Sequence, residues 1–250
     1  MQLPILRMRI TLGIIFAPAL LLLLLPAGAQ ADRRSFVRAY EYATQPEGNL
    51  ELEIWNELVA PRSGVSDSII TNRIELEYGL TDHWDAALYH VFQQGPDAGF
   101  HLDSWRLESR YRLAEKGEWP VDLMLYLEGE RPAALGEPFE LEEKLIVARD
   151  FGRVGLVANL VAEEKLLRGD LGRRYEVDLG ARYEIAAALR VAAEVWTIQE
   201  VKPGQTVGSY FAGPSLSVAT QRFWLQLGFG LGLGSTPDRM QLRSVIGFNL

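Results

Sequence analysis

The chain has 250 residues, with 25 lysine and arginine residues against 33 aspartate and glutamate residues, for a formal net charge of −8. It contains no cysteine, which excludes a disulfide scaffold, a thiolate metal site, an iron–sulfur centre and a cysteine nucleophile. The acidic balance argues against a nucleic-acid-binding protein, and the 48% hydrophobic content is too high for a disordered chain.

The first 31 residues have the organisation of an export signal. Arg7 and Arg9 form a short basic segment, an uncharged run covers 10–25, and a small-residue stretch ends in Ala29-Gln30-Ala31. This order predicts a cleaved signal peptide over residues 1–31. An uncleaved membrane anchor is the alternative, although the apolar run is short for a transmembrane span.

Residues 32–46 precede the first strand-like segment and include several arginine and aromatic residues, among them Arg34, Arg38 and Tyr40. Three interpretations stay open at this point. The segment is a disordered periplasmic tail, a short extra strand, or a plug that enters an acidic lumen. In the third case its basic side chains would pair with lumen acids and it would lie against a glycine-rich wall.

Residues 47–250 alternate between apolar and polar side chains. Since successive side chains of a strand point to opposite faces, each segment has one apolar and one polar face. Most segments reach about ten residues, the length that crosses a bilayer when a strand is tilted. The twelve segments are 50–58, 70–78, 84–92, 105–113, 121–127, 139–147, 154–160, 175–183, 189–195, 210–218, 223–231 and 240–250.

A soluble sandwich also alternates, but two further features favour a membrane barrel. Aromatic residues gather near the strand ends, and the apolar face carries almost no charge in mid-strand. Glu143 is the exception, for which a β-bulge is the expected explanation. In lipid, only helices and closed barrels satisfy every backbone polar group. The sequence therefore predicts an all-β, up-and-down antiparallel transmembrane β-barrel of twelve strands over residues 47–250.

The connections predict an orientation. Tight connections at 79–82, 149–152, 184–190 and 219–221 alternate with longer polar ones at 61–67, 93–101, 131–138, 166–173, 199–208 and 234–239. Outer-membrane barrels have short periplasmic turns and longer external loops, so the tight set is expected in the periplasm. The loops are too short for a folded-in constriction, so any narrowing should come from side chains of the wall.

The inward face is predicted to be charged and net acidic, with a smooth glycine stretch in its last strands. Paired charges would fill a narrow interior structurally, whereas unpaired acids would bias a water-filled path toward cations. The alternating glycines indicate either a passage or local packing. The predicted lumen residues are Glu51, Glu53, Arg73, Glu75, Arg106, Glu108, Arg110, Asp122, Glu128, Glu142, Glu176, Asp178, Arg182, Arg190, Glu194, Gly228, Gly230, Gly232 and Arg243.

The chain ends Ser244-Val245-Ile246-Gly247-Phe248-Asn249-Leu250. Gly247, Phe248 and the apolar Leu250 resemble the C-terminal assembly signal of bacterial outer-membrane proteins. The turn at 78–84 also resembles one found in small transporter-like and porin-like outer-membrane barrels. The resemblance implies a Gram-negative outer-membrane location, contact with outer-membrane lipids and insertion by the barrel-assembly machinery. It specifies no solute.

We expect passive passage of small polar or cationic solutes, with no cofactor and no metal site. A closed structural barrel is one alternative, and an outer-leaflet lipid hydrolase that uses His101, Asp103 and Ser104 is another. Strand parity places Ser104 on the opposite face from the other two residues, which disfavours a catalytic triad.

Overall fold

The computed structural model describes residues 34–166, 172–220 and 222–250. The predicted signal peptide lies outside these residues, as does most of the predicted 166–173 connection. The strands are β1 (Leu50–Pro61), β2 (Ile69–Thr81), β3 (Trp84–Gln94), β4 (His101–Arg112), β5 (Asp122–Pro132), β6 (Phe139–Phe151), β7 (Val154–Leu166), β8 (Arg173–Ala186), β9 (Leu189–Lys202), β10 (Gln205–Ala219), β11 (Phe223–Gly232) and β12 (Asp238–Asn249).

The twelve strands form a closed barrel, and this confirms the predicted fold class. Each strand pairs antiparallel with its neighbours in sequence, and β12 returns to pair with β1. At the closure Ile54 lies opposite Ile246, and the Leu250 N–H donates to the Leu50 carbonyl at 2.9 Å. Closure removes the free sheet edge, so no row of backbone groups is left without partners in lipid.

Side-chain alternation sorts the two faces as the sequence predicts. Leu107 and Leu160 are 62% and 50% exposed on the outside, whereas Glu53 and Glu75 are 2% and 1% exposed on the inside. An apolar exterior over a charged interior is the inverse of a soluble β-sandwich. Among the described residues, no helix is long and apolar enough to cross a membrane.

Glu143 lies on the outer face without the β-bulge that the sequence predicts. Its strand β6 pairs with β5 and β7 without a register shift, and Glu143 lies directly opposite Leu127 and Ala162. The predicted β-bulge is therefore absent, and the exposed carboxylate stands on the apolar outer face. Parity alone puts it there, because side chains alternate along an unbroken strand.

The β9–β10 connection also differs from the prediction of a long link over 199–208. The two strands pair as far as Lys202 and Gln205, which leaves a two-residue hairpin turn. Gly204 occupies that turn with φ 77°, a left-handed conformation that favours glycine. The barrel end that carries the β2–β3, β6–β7 and β8–β9 turns is called the turn end below, and the opposite end is called the loop end.

Residues 34–46, called the arm below, lie inside the barrel before β1. Its side chains Phe36 and Tyr42 are buried. The arm reaches the wall at the turn end, where the Gln45 N–H donates to Asp85 at 2.8 Å. A β-carbon on Gly79 would lie 1.9 Å from the Pro46 carbonyl oxygen. The backbone at Pro46 therefore packs against β2 at a position where β2 has no side chain.

Candidate functional site

One half of the lumen wall is lined by arginine–carboxylate pairs on β4 and its neighbours. Arg106 lies 3.0 Å from Glu128 and 2.7 Å from Glu130 on β5. Arg110 pairs with Asp85 through two hydrogen bonds of 3.0 and 2.6 Å, and it also contacts Glu77 and Glu108. These pairs follow from register, because adjacent strands bring inward residues close enough for cross-strand contacts.

A second set of pairs lies on β8. The Arg174 guanidinium contacts Glu163 at 3.3 Å and Glu176 at 2.9 Å, near the loop end. At the turn end, Arg182 contacts Asp150 at 2.8 Å. Arg182 also lies 2.9 Å from Glu41 of the arm, so the same cation joins wall and arm.

Glu194 on β9 holds the backbone of the arm. Its carboxylate accepts hydrogen bonds from the N–H groups of Val37, Arg38 and Ala39, the last two at 2.9 and 3.0 Å. Three successive amides on one carboxylate form an anion-binding turn of the backbone. The arm is thereby fixed to the wall independently of its side chains.

Asn159 on β7 pairs with the arm in both directions. Its amide oxygen accepts from the Tyr40 N–H at 2.6 Å, and its amide nitrogen donates to the Tyr40 carbonyl at 3.0 Å. The Asn159 side chain is fully buried. It therefore replaces the strand partner that this stretch of backbone lacks.

The two arginines of the arm are both neutralised by wall carboxylates. Arg38 forms an ion pair with Glu176, and Arg34 lies 3.3 Å from Glu53. Lys144 lies 3.9 Å from the centre of the Tyr40 ring, in cation–π contact.

The predicted glycine stretch contacts side chains rather than an open passage. A β-carbon on Gly228 would lie 2.0 Å from Val37 of the arm, and one on Gly230 would lie 2.0 Å from the Trp196 ring. One on Gly232 would lie 1.9 Å from the Asp238 carbonyl oxygen. The glycines therefore make room for the arm, for a wall tryptophan and for the neighbouring strand.

A cavity of about 300 Å³, called the vestibule below, lies on the loop-end side of the arm. Arg38 and Tyr40 of the arm form part of its lining. Eight carboxylates and six basic side chains line it, so the vestibule is highly charged with an excess of acid. They are Asp103, Glu128, Glu130, Glu140, Glu142, Glu163, Glu176 and Asp178, with Arg38, Arg73, Arg106, Lys144, Arg174 and Arg243.

The remaining predicted lumen residues lie at several points of the interior. Glu51 accepts from the Trp224 indole at 3.1 Å, and Asp122 accepts from the Gly117 N–H at 2.6 Å. Arg190 reaches Glu184 at 3.3 Å near the turn end. At the C-terminus, a β-carbon on Gly247 would lie 2.2 Å from the Trp224 indole nitrogen, and Phe248 packs near Phe223 with ring centres 6.3 Å apart.

Sequence reasoning missed Trp55, Asn159 and Trp196, which are buried beside the arm or the glycine stretch. Trp55 shares its face of β1 with Glu53 and Glu57, because the three residues occupy alternate positions. That pattern could have identified Trp55 as an inward residue. The prediction that wall side chains narrow the lumen is also incomplete, because the arm lies inside the lumen as well. Its own residues, rather than an external loop, supply the constriction.

Within the described part of the chain, His101, Asp103 and Ser104 do not form the catalytic triad that the lipid-hydrolase alternative requires. A register shift between Val91 and Phe92 lets both Asp103 and Ser104 face inward, so the predicted opposite placement of these two residues is wrong. The His101 ring instead contacts the Gly99 carbonyl at 2.8 Å. Among the described residues, no hydrogen bond joins His101 to Asp103 or Ser104, and no group of three potential ligands could hold a metal ion.

The closed barrel with its charged interior defines the class of fold: the chain is a twelve-stranded antiparallel β-barrel, and the solved structures similar to it in fold include outer-membrane channels and porins. No family model matches the sequence, and the search of curated proteins gives no match. Solved structures are similar in fold, and at their low sequence identity the similarity concerns the fold alone.

Three of these structures align with most of this chain. An outer-membrane channel from Pseudomonas putida F1 is 13% identical, covers 86% of this chain and 100% of its own, and has a TM-score of 0.61. The NanC porin is 11% identical over 80% of this chain and 100% of its own, with a TM-score of 0.59. The KdgM porin is 8% identical over 80% and 99%, with a TM-score of 0.56.

Proposed function

We propose that the protein is a channel of the bacterial outer membrane that passes small polar solutes, with a preference for cations. The observation that carries the proposal is the vestibule, a charged cavity with more carboxylates than basic groups inside a closed barrel. A ring of acids lowers the free energy of a cation in a pore and raises that of an anion. Passage is passive, because the fold supplies only a lined path.

The charge of the lumen distinguishes it from a path for acidic solutes. A KdgM porin structure contains oligogalacturonate, a chain of sugar acids. Here the basic side chains of the vestibule are largely engaged by carboxylates, as in the contacts of Arg106 and Arg174. A polyanion would have to displace these carboxylates from the basic side chains, whereas a cation would bind to the carboxylate oxygens directly.

In this proposal the arm closes the path when it is attached to the wall. Glu194, Asn159 and Arg182 attach it to the β7–β9 wall, and Arg243 on β12 donates to the Val37 carbonyl. A solute that enters the vestibule therefore meets Arg38 and Tyr40 before it reaches the turn end. Conduction requires the arm to shift, and the arm acts as a gate.

We place the turn end in the periplasm, so the arm joins β1 on the side to which the exported chain is delivered. The resemblance of Gly247, Phe248 and Leu250 to an assembly signal supports insertion by the barrel-assembly machinery. Outer-membrane lipids would then contact the apolar outer face.

Planar-bilayer recordings of the full chain and of a variant lacking residues 32–44 test the proposal. The full chain should show rare, small current steps, and the deletion should raise single-channel conductance. In a salt gradient the reversal potential should report cation selectivity. Equal conductance for the two proteins would contradict gating by the arm, and anion selectivity would contradict the acidic path.

A closed structural barrel is the second candidate, and the number of buried ion pairs around the arm favours it. Paired charges fill an interior without leaving a path. In that case neither the full chain nor the deletion variant would conduct, although both would migrate as folded barrels on unheated gels.

A further inference from the structure

The guanidinium of Arg34 lies between two aromatic rings inside the lumen. Its central carbon is 4.4 Å from the centre of the Tyr40 ring and 4.6 Å from that of the Trp55 ring. Trp55 belongs to the wall, and its indole N–H donates to Glu75 at 2.9 Å, which fixes the ring. Flat stacking on aromatic faces is a preferred environment of a guanidinium group.

Three buried carboxylates surround this position. The Arg34 Nε lies 3.3 Å from both oxygens of Glu53, and its Nη2 lies 4.0 Å from Glu75 Oε1. Glu108 is also 1% exposed and lies 3.2 Å from Arg110, and the guanidinium carbons of Arg73 and Arg243 lie 5.5 and 5.6 Å from the centre of the Trp55 ring. Among the described residues, Arg34 is nevertheless the only cation within 4.0 Å of the carboxylates of Glu53 and Glu75.

The arm fills the site incompletely. Arg34 Nη2 and Glu75 Oε1 are both buried and form no hydrogen bond among the described residues, although they face each other at 4.0 Å. A normal hydrogen bond between these atoms would be about 2.9 Å long. Since Arg34 is tethered through the arm to Glu194, it cannot adjust as a free ligand would.

We propose that Glu53, Glu75 and Trp55 form a binding site for the guanidinium group of a small solute, which the chain's own Arg34 occupies when the arm is in place. The inference rests on the proposed function and names its solute class. A free guanidinium compound would compete with Arg34 for the site and favour release of the arm. The tether gives Arg34 a high effective concentration, so only an abundant solute would compete.

Methylguanidinium is the probe, and methylurea is its uncharged counterpart of the same shape. Titration calorimetry is performed on the full chain in detergent, with the Arg34→Ala variant and with wild type. Arg34→Ala should bind methylguanidinium saturably and methylurea not at all. Wild type should bind at least about tenfold more weakly, because only the fraction with a vacated site is competent. Adding Glu75→Gln to Arg34→Ala should abolish binding.

Arg131→Ala, which removes one positive charge in an exposed part of β5, is the matched control and should behave as wild type. Arg34→Lys covers the case in which Arg34→Ala fails to fold: it keeps a cation but loses the planar group, and its affinity should be intermediate. Equal binding of methylguanidinium and methylurea, or equal affinity in wild type and Arg34→Ala, would overturn the inference.

Bilayer recordings separate this inference from the proposed function. If Arg34→Ala conducts but binds no methylguanidinium, the site is refuted and the channel stands. If it binds methylguanidinium but no variant conducts, the site stands and the channel is refuted.

Discussion

Val37 packs directly against Gly228, with its Cγ2 atom 2.0 Å from the place that a β-carbon on Gly228 would occupy. The arm therefore lies against the wall only because β11 has no side chain at this position. A Gly228→Ala substitution forces the arm or the strand to move. We expect the arm to move, because β11 is held by hydrogen bonds on both sides. Bilayer recordings should show longer open times than in wild type.

Gly95→Ala is the control for that substitution, since no atom lies within 4 Å of its added β-carbon. Its currents should equal those of wild type. If the open times of Gly228→Ala equalled those of the control, the contact of Val37 with Gly228 would not be what holds the arm in place.

Glu194→Ala should loosen the arm without disrupting the barrel. The substitution removes the acceptor of three arm amides, and hydrogen bonds to a charged group contribute about 1.5–3 kcal/mol. Amide hydrogen exchange at residues 37–39 should accelerate at least about tenfold, in line with that free energy. Exchange in the strands should not change.

Glu200→Ala removes an exposed carboxylate of the same strand and is the control for this measurement. Unchanged exchange at 37–39 in Glu194→Ala would show that other contacts hold the arm.

Glu143→Leu should stabilise the barrel in a bilayer. The carboxylate stands on the apolar face with Leu127 and Ala162 opposite it, four residues inside the start of β6 at Phe139. Replacing it should raise the free energy of unfolding by about 1–2 kcal/mol, somewhat less than the cost of a basic residue at the same depth. Equilibrium refolding into lipid vesicles in urea measures the change.

Glu164→Leu is the comparison nearer the loop end, because Glu164 lies on the outer face of β7 opposite Leu141 and pairs with Arg173 at 3.1 Å. Its free energy of unfolding should not increase. A loss of stability in Glu143→Leu would show that the carboxylate has a partner in the membrane.

His83 and Glu115 join two turns at the turn end. The His83 ring lies 2.7 Å from the Glu115 carboxylate, and this hydrogen bond holds the pKa of Glu115 below its usual range. A lowered pKa in the folded state stabilises the fold above the pKa of the unfolded chain. That contribution is lost as pH falls through the folded pKa. Both side chains are solvent-accessible, so the effect on stability is small.

His83→Ala should raise the Glu115 pKa to its ordinary value, as measured by NMR titration of the side-chain carboxyl carbon. Lys116→Ala, whose ammonium pairs with Asp150 at 2.9 Å, should leave the Glu115 titration in place. A Glu115 pKa that is the same in wild type and His83→Ala would mean that the ring does not hold the carboxylate.

The position of the arm inside the barrel could not be predicted from the sequence alone. The basic and aromatic residues of 32–46 are visible in the sequence, but a tail, an extra strand and a plug are all compatible with them. The choice depends on partners such as Glu194 and Asn159, which are 155 and 119 positions away in the chain from Ala39 and Tyr40. No local pattern encodes such a distant pairing, and period-two parity places Asn159 inward without naming what it meets.

The β-bulge at Asp103, opposite Val91 and Phe92, shows a second limit. Parity fails at the first inserted residue, and Asp103 therefore faces inward against expectation. Apart from such irregularities, the order of residues is enough to predict which side chains face outward and which are enclosed, because alternation is a property of each strand. That the chain's own residues 34–46 lie in the enclosed space depends on contacts between distant segments, which are brought together when the barrel closes.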